Sequence, residues 1–359
     1  MNMKNMKTRK AISLFTGAGG MDVGFSRAGF QVVWANEINE DACATYRLNH
    51  PGEIACGDLR EYIGKLDSFQ DIDIVFGGPP CQGFSVAGKM DPNDERSKLI
   101  FSFFDVVEKV SPKMFVLENV KALAALEKWA PVRALLFSRA KELGYDFSQI
   151  SVLNATEYGV PQKRERMFFV GIKGAKKLAS SFHGFQPYLD KYKKIASPIR
   201  ELFYEIGPVG SNKNRMICKA KITLAREPIL RKSAYAGMLF NGAGRPIDAD
   251  GYSNTLPASM GGNRTPIVDD EQIFNNADSW VESYHNALIR GRSPEEFVPP
   301  RHLRRITAEE AARIQTFPVD YKFAGRQNSI YSQIGNAVPC ELAHCVASAL
   351  QDALADENL

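Results

Sequence analysis

The sequence predicts an α/β fold: a doubly wound, mostly parallel sheet joined to a smaller irregular domain. Three observations predict it. Apolar strand-like runs alternate with helix-spaced apolar positions through residues 11–172. Most of these runs end in a polar or Gly-rich turn, as strands of an open α/β sheet do at their ligand-binding ends. Beyond about residue 173 the periodicity fades, and Lys, Arg, Gly, Pro, Ser and Asn dominate up to about residue 300.

The elements follow in order. Residues 11–15 (Ala-Ile-Ser-Leu-Phe) form a first buried strand that runs into the Gly-rich turn 15–20. Met21, Phe25 and Ala28 then fall at helical spacing. Residues 31–35 are a second strand ending at Asn36-Glu37, and a helix from about Asn39 to Leu48 follows. Residues 54–56 lead to Asp58, and residues 72–76 are a fourth strand running into Gly78-Pro79-Pro80-Cys81. Residues 99–110 read as a helix and 114–117 as a fifth strand, ending at Glu118-Asn119-Val120. Two further strands are expected at 148–153 and 166–172. Thr307-Ala308-Glu309-Glu310 has the pattern of a capping box opening a helix through Ile314, ended by Phe317-Pro318. Pro339 suits the first turn of a last helix through Leu350. That helix is expected to pack back on the sheet, so that residues 1–173 and 301–359 make one domain and 174–300 a second.

At 359 residues, 44% apolar and 24% charged, the composition is that of a globular protein. No apolar run is long enough to span a bilayer. The basic amino terminus does not continue into a secretory signal, because Gly17, Gly19 and Gly20 cut the apolar stretch short. The six cysteines show neither CxxC pairs nor metal-ligand spacing with His, which implies free thiols, a reducing cytoplasm and no metal. A net charge of +4 permits a polyanionic partner.

Two sites are legible. The turn containing Gly17 and Gly19 follows a strand and precedes a helix, so a ligand can approach its backbone. Glu37, twenty residues beyond Gly17, can accept from ribose hydroxyls, and Asp58 from an adenine amine. Asp22 stands where a dinucleotide fingerprint has its third glycine, which favours a nucleoside without phosphates. The second site is chemical. Two glycines and two prolines around Cys81 fix a backbone shape suited to aiming a nucleophile. Glu118 ends the neighbouring strand, and Gln162-Lys163-Arg164-Glu165-Arg166 can add guanidinium forks to the same crevice.

In order and spacing these blocks resemble the DNA (cytosine-5)-methyltransferase family, of the bacterial restriction–modification type. The matching blocks are residues 15–20, Glu37, Asp58, residues 78–85, Glu118-Asn119-Val120, residues 162–166, residues 305–318 and Gln333-Ile334-Gly335-Asn336-Ala337-Val338-Pro339. The resemblance implies the Rossmann-like fold of S-adenosylmethionine-dependent methyltransferases. It further implies methyl transfer from S-adenosylmethionine to C5 of a flipped-out cytosine in a short duplex DNA site.

Cytosine C5 is a poor nucleophile. A Cys81 thiolate adding to C6 would place electron density on C5, and Glu118 would help by a proton or strong hydrogen bond at N3. Arg164 and Arg166 would hold the O2 edge and the adjacent phosphate, without the resemblance settling which does which. The Pro79 carbonyl is a candidate acceptor for the exocyclic amine. The family implies Phe15 against adenine, Glu37 on ribose, Asp58 on the adenine amine, and residues 336–338 (Asn336, Val338) at the methionine end. Gly17, Gly19, Leu59 and Pro80 complete the expected cofactor contacts. Ile38 stands where several relatives carry an aromatic. Gln82 and Ser85 are candidates to fill the hole left by the base or to hold phosphate, on a segment that acts in the family as a lid. Asn119, Gln162, Thr255, Leu256 and Arg264 are further candidate DNA contacts, and Arg226, Arg231, Lys232 and Arg245 lie in the same target-recognition region. The expected partners are double-stranded DNA and, functionally, a cognate restriction endonuclease, with a monomer acting on DNA in the cytoplasm. A tRNA cytosine methyltransferase of the same family, an exocyclic-amine methyltransferase and an inactive DNA-binding relative are the alternatives. The Cys-Phe-Thr tripeptide typical of the tRNA enzymes is absent, and Cys81 replaces the aromatic that follows Pro-Pro in the amine-directed enzymes.

Overall fold

The computed structural model describes residues 8–80 and 95–359. The chain divides into two compact units. The first holds the chain up to Tyr158, then Glu165–Lys194 and Val338–Leu359; the second holds Gly159–Arg164 and Ile195–Ala337.

The first unit is built on a seven-stranded sheet of order β3-β2-β1-β4-β5-β8-β6. Its strands are β1 (Arg9–Leu14), β2 (Phe30–Glu37), β3 (Glu53–Cys56), β4 (Ile74–Gly77), β5 (Met114–Val120), β6 (Phe147–Asn154) and β8 (Glu165–Ile172). The first five run parallel, and β8 is antiparallel to both β5 and β6. The order reverses between β1 and β4, so a crevice opens at their carboxyl ends. Helices α1 (Gly20–Arg27) and α2 (Glu40–Asn49) make the first crossovers, and the Asn39 side chain caps α2 by accepting from the Ala42 amide at 2.9 Å.

One face of the sheet is filled by aromatics. Phe115 meets Tyr145, Phe169 and Phe104 edge-on at 4.8, 5.1 and 5.3 Å, contacts worth about 0.5–1.5 kcal/mol each beyond the area they bury. On the other face the C-terminal helix Cys340–Glu357 lies against α1. A Cβ on Gly24 would stand 2.5 Å from the His344 amide, so only glycine admits that approach. The last helix therefore joins the sheet, as expected, with Pro339 as its N-cap and seven residues more than the sequence indicated.

The unit boundaries differ from the expected domain boundaries. Residues 174–194 stay with the sheet because Leu178, Phe185 and Leu189 are buried there. Residues 301–337 belong to the second unit because Leu303–Arg305 pairs with Ile267–Asp269, and Ala308–Ile314 packs on helices Ile199–Ile206 and Gln327–Asn336. That last helix carried no clear sequence signal. The Thr307 capping box forms with both of its bonds.

The second unit has only two-stranded ladders, among them the short β7 (Gln162–Lys163) parallel to Ser253–Asn254. Leu239, Phe240, Ile267, Val281 and Tyr284 form one of its cores. One further expectation is corrected. Cys43 in α2 and Cys56 at the end of β3 form a disulfide, their Cα atoms 6.0 Å apart, because the β2–α2–β3 crossover brings them together. Cys218, Cys340 and Cys345 are buried free thiols. No helix among the described residues is long and apolar enough to cross a membrane.

Candidate active site

Cys81, Gln82 and Ser85 lie outside the described residues; the chain is described up to Pro80, directly before them. What leads to Cys81 is well defined. Parallel pairing of Gly77 with Leu117 sets Gly78 beside Glu118. A Cβ on Gly78 would stand 2.8 Å from Glu118 Oε2, so glycine lets the carboxylate lie against this backbone. Glu118 is 8% exposed, and its Oε1 accepts from Arg166 Nε at 3.0 Å. The sheet dictates this pair: Glu118 opposes Phe168 and Val120 opposes Arg166, so acid and guanidinium are diagonal neighbours on one face. Arg166 Nη1 also donates to the Glu165 carbonyl, which steadies the fork.

Asn119 is 2% exposed. Its side chain donates to the Pro79 carbonyl at 3.2 Å and accepts from the Val120 amide at 2.9 Å. It thus fixes the Pro-Pro backbone from below. The sequence suggested Asn119 as a DNA contact; as placed, one of its amide hydrogens and its oxygen are engaged within the unit.

The expected nucleoside site follows β1. Phe15, Gly17 and Gly19 all take positive φ, at 53°, 54° and 80°. The Gly17 amide donates to Glu37 Oε2 at 2.8 Å, and Glu37 Oε1 accepts the Ile38 and Asn39 amides at 3.0 and 2.9 Å. A carboxylate offers about four acceptor positions, so one remains for a ligand hydroxyl. That is fewer than the two ribose contacts the sequence suggested. The space above Gly17 is open, and Ile38 is 68% exposed, as a side chain laid against a flat ligand would be. Asp58 caps the short helix Leu59–Glu61, and Arg60 binds both of its oxygens, at 3.0 and 2.6 Å. The Arg60 hydrogen bond holds its carboxyl below the usual range, so it is a permanent acceptor. Leu59 and Val338 are buried. An acceptor at Asp58, an open glycine turn and an exposed aliphatic face fit an adenosyl group.

The remaining candidates lie in the second unit. Gln162 is fully buried; its Oε1 accepts the Leu256 amide at 2.9 Å and its Nε2 donates to Gln315. Arg164 is 2% exposed and donates to the carbonyls of Leu256 and Gly335 at 3.3 and 3.1 Å. Leu256 is itself buried. These three were expected at base or phosphate. As placed, Gln162 and Arg164 fix the backbone of the Thr255-Leu256 element from inside the unit, because buried guanidinium and amide groups must find hydrogen-bond partners within the protein. Asn336 and Thr255 are exposed, and Thr255 Oγ1 donates to the Lys163 carbonyl at 2.7 Å. A groove of about 390 Å³ is lined by Lys163, Arg245, Arg264, Asn254, Thr255 and Ser259 among others, with no carboxylate in its wall. Among the described residues, none of its three cations has an ion-pair partner. The sequence singled out Arg264 and Arg245 there. It gave Lys163 no role, because nothing local distinguishes that side chain from the rest of its block.

A parallel sheet reversing between β1 and β4, closed by antiparallel β8 and carrying an adenosyl-type turn after β1, is the Rossmann-like fold of S-adenosylmethionine-dependent methyltransferases. Residues 9–352 match the family of C-5 cytosine-specific DNA methylases, and the chain belongs to that family. It is 32% identical to the type II methyltransferase M.FnuDI of Fusobacterium nucleatum, over 97% of this chain and 96% of that one. It is 31% identical to M.NgoPII of Neisseria gonorrhoeae, over 96% of both chains. Among solved structures it resembles a prophage-encoded DNA modification methyltransferase (E. coli), with TM-score 0.66 and 23% identity over 97% and 99% of the two chains. It also resembles the S. pombe Dnmt2 methyltransferase, with TM-score 0.64 and 17% identity over 98% and 100%. These two likenesses show the fold.

Proposed function

We propose that the protein methylates C5 of a flipped-out cytosine in a short duplex DNA site through a transient bond between Cys81 and C6, as the modification partner of a restriction endonuclease. The Glu118–Arg166 pair carries this reading, because it lies against the Gly78-Pro79-Pro80 backbone that ends at Cys81. Extruding the base costs a few kcal/mol, which contacts along the DNA offset. The Cys81 thiolate adds to C6. Glu118 meets N3 and stabilises the enamine, while Arg166 holds the carboxyl in place and turns toward O2. The Pro79 carbonyl, steadied by Asn119, accepts from the exocyclic amine, which thymine lacks. The first unit is the catalytic and donor-binding domain, and Phe15, Gly17, Glu37, Ile38 and Asp58 would hold S-adenosylmethionine, which supplies an electrophilic methyl group. Loss of the C5 proton then allows Cys81 to be eliminated. The second unit is the target-recognition domain, and its groove of Lys163, Arg245 and Arg264 takes the DNA backbone or guanine edges.

Labelled S-adenosylmethionine incubated with duplex DNA and with tRNA tests the substrate. Label is expected in DNA alone, and label in tRNA alone would overturn the reading. Cys81→Ser is expected to abolish turnover while keeping DNA binding. The wild type should form a persistent adduct with a duplex carrying 5-fluorocytosine, since fluorine cannot leave as a proton. Turnover by Cys81→Ser at the wild-type rate would sink the covalent route.

A further inference from the structure

Among the described residues, Asp22 is the one carboxylate of the first unit's core with no exposure at all. It sits in the first turn of α1 and accepts from three hydroxyls on three separate elements. Ser13 Oγ in β1 donates at 3.0 Å, Tyr46 OH in α2 at 3.1 Å, and Thr16 Oγ1 in the intervening turn at shorter range. Among the described residues it makes no salt bridge. The titratable neighbour it faces is His50, whose ring stacks on Tyr46 with centroids 4.3 Å apart. Burial lowers the His50 pKa, and the donors that the carboxyl meets among the described residues are the three hydroxyls. Burial likewise pushes the Asp22 carboxyl up, while the His50 field and the three hydroxyls oppose that push. A buried carboxyl is costly, and proteins seldom retain one without hydrogen bonds that repay it.

The turn it grips is a strained one. Phe15 has φ 53°, and a non-glycine residue in that region costs on the order of 1–2 kcal/mol. Two glycines at positive φ follow within four residues. Within this turn the Thr16 amide donates to the Asn36 carbonyl and the Gly19 amide to the Thr16 carbonyl, at 3.0 and 2.9 Å. The Thr16 side chain lies between Phe15 and Gly17, and Asp22 is its partner. The Gly17 amide, one residue on, binds Glu37.

We propose that Asp22 is the positioning residue of the methyl-donor pocket: acting through the Thr16 hydroxyl, it holds the turn 15–19 in the shape that presents Phe15, Gly17 and Glu37 to the adenosyl group. Asp22 itself, being fully buried, does not touch the donor. The proposal rests on the reading of this turn as the donor site.

The test measures S-adenosylhomocysteine binding by titration calorimetry and steady-state kinetics on duplex DNA, for Asp22→Asn, Asp22→Ala, Thr16→Val and Thr16→Ser. Thr16→Val and Asp22→Ala are each expected to weaken S-adenosylhomocysteine binding about tenfold. They should raise KM for the donor, while kcat at saturating donor and KM for DNA stay within about threefold. Asp22→Asn, which keeps one acceptor oxygen, falls between. Thr16→Ser, which keeps the hydroxyl, recovers most of the affinity. The double variant Asp22→Ala/Thr16→Val is expected to bind no worse than either single one, because both cut the same link. Should Asp22→Ala fail to fold, Thr16→Val against Thr16→Ser decides. Donor affinity within twofold of wild type in folded Thr16→Val overturns the proposal, as does a loss that strikes donor and DNA kinetics equally. A wild-type protein that binds neither S-adenosylmethionine nor S-adenosylhomocysteine would overturn the donor reading itself, a result distinguishable from the other two.

Discussion

Gly78→Ala probes the acid without touching its chemistry. Gly78 is not among the glycines with positive φ, so alanine meets no backbone penalty there. The added methyl would meet Glu118 Oε2 at 2.8 Å, whereas ordinary contact begins near 3.4 Å. The carboxyl must therefore retreat by roughly half an ångström, and the far end of a flexible side chain can do so cheaply. Its bond to Arg166 is stretched or rebuilt in the process. A misplacement of about 1 Å in a catalytic group can cost 10²-fold, so a loss of about 10- to 100-fold in the methylation step is expected. Stability should change by less than about 1 kcal/mol, since removing a glycine also restrains the unfolded chain. The assay is single-turnover transfer of labelled methyl to duplex DNA with enzyme in excess, beside a thermal melt. Gly64→Ala, with nothing within 4 Å of the new methyl, serves as the control and should match wild type. If folded Gly78→Ala methylates within twofold of wild type, close approach of Glu118 to this backbone has no part in the chemistry.

Arg245→Ala and Arg264→Ala should each weaken duplex binding and lower the slope of log affinity against log salt by about one, read from titrations over a salt series. An unchanged slope in both variants would remove the groove from the DNA interface. Glu341 caps the other side of the fold, binding Arg27 at 2.7 Å and Lys194 at 2.5 Å. Burial pushes its carboxyl up, but the hydrogen bonds from Lys194 and Arg27 outweigh that and leave it below its ordinary value. A depressed acid stabilises the fold above its unfolded value of about 4.3, and the benefit disappears as pH falls through the folded value. Both cations are about half exposed, so the expected deficit of Glu341→Gln at pH 7 is only about 1 kcal/mol, shrinking toward pH 4. Urea unfolding at the two pH values checks it; a deficit that grows toward acid reverses the sign and refutes the argument.

The first unit was legible because its signals are local. Each strand of the parallel sheet is a short apolar run, and Glu37, Asp58 and Glu118 each stand at or just beyond a run's end. The capping box at Thr307 was readable for the same reason. The Cys43–Cys56 pairing was not, since it depends on where a crossover helix returns rather than on any spacing pattern. Nor was the role of Gly78 beyond its flexibility. Its meaning lies in the register of β4 against β5, which brings a carboxylate from forty residues away. The Arg60 partner of Asp58 sits only two residues on, and an acid followed by a basic residue at that interval was a signal available but unused.

The second unit was opaque for a different physical reason. Its backbone groups are satisfied less by ladders than by buried side chains, which leave no periodic trace. Arg305, 1% exposed, donates to the carbonyls of Ala220, Lys221, Asn263 and Thr265, drawn from two segments some forty residues apart. Arg164 does the same for Leu256 and Gly335, and Gln162 accepts the Leu256 amide. A guanidinium has five donors in a rigid plane, so one such side chain can close several loops that no strand supports. On the proposed reading of this unit, the arrangement also separates the residues that build a recognition surface from those that would read with it. Arg305 and Arg164 fix the loops from within, while Arg245, Arg264 and Lys163 are exposed and make no ion pair among the described residues. A surface organised in this way can exchange its outward side chains without disturbing the carbonyl staples beneath, so on that reading target specificity can change while the fold of the unit is retained.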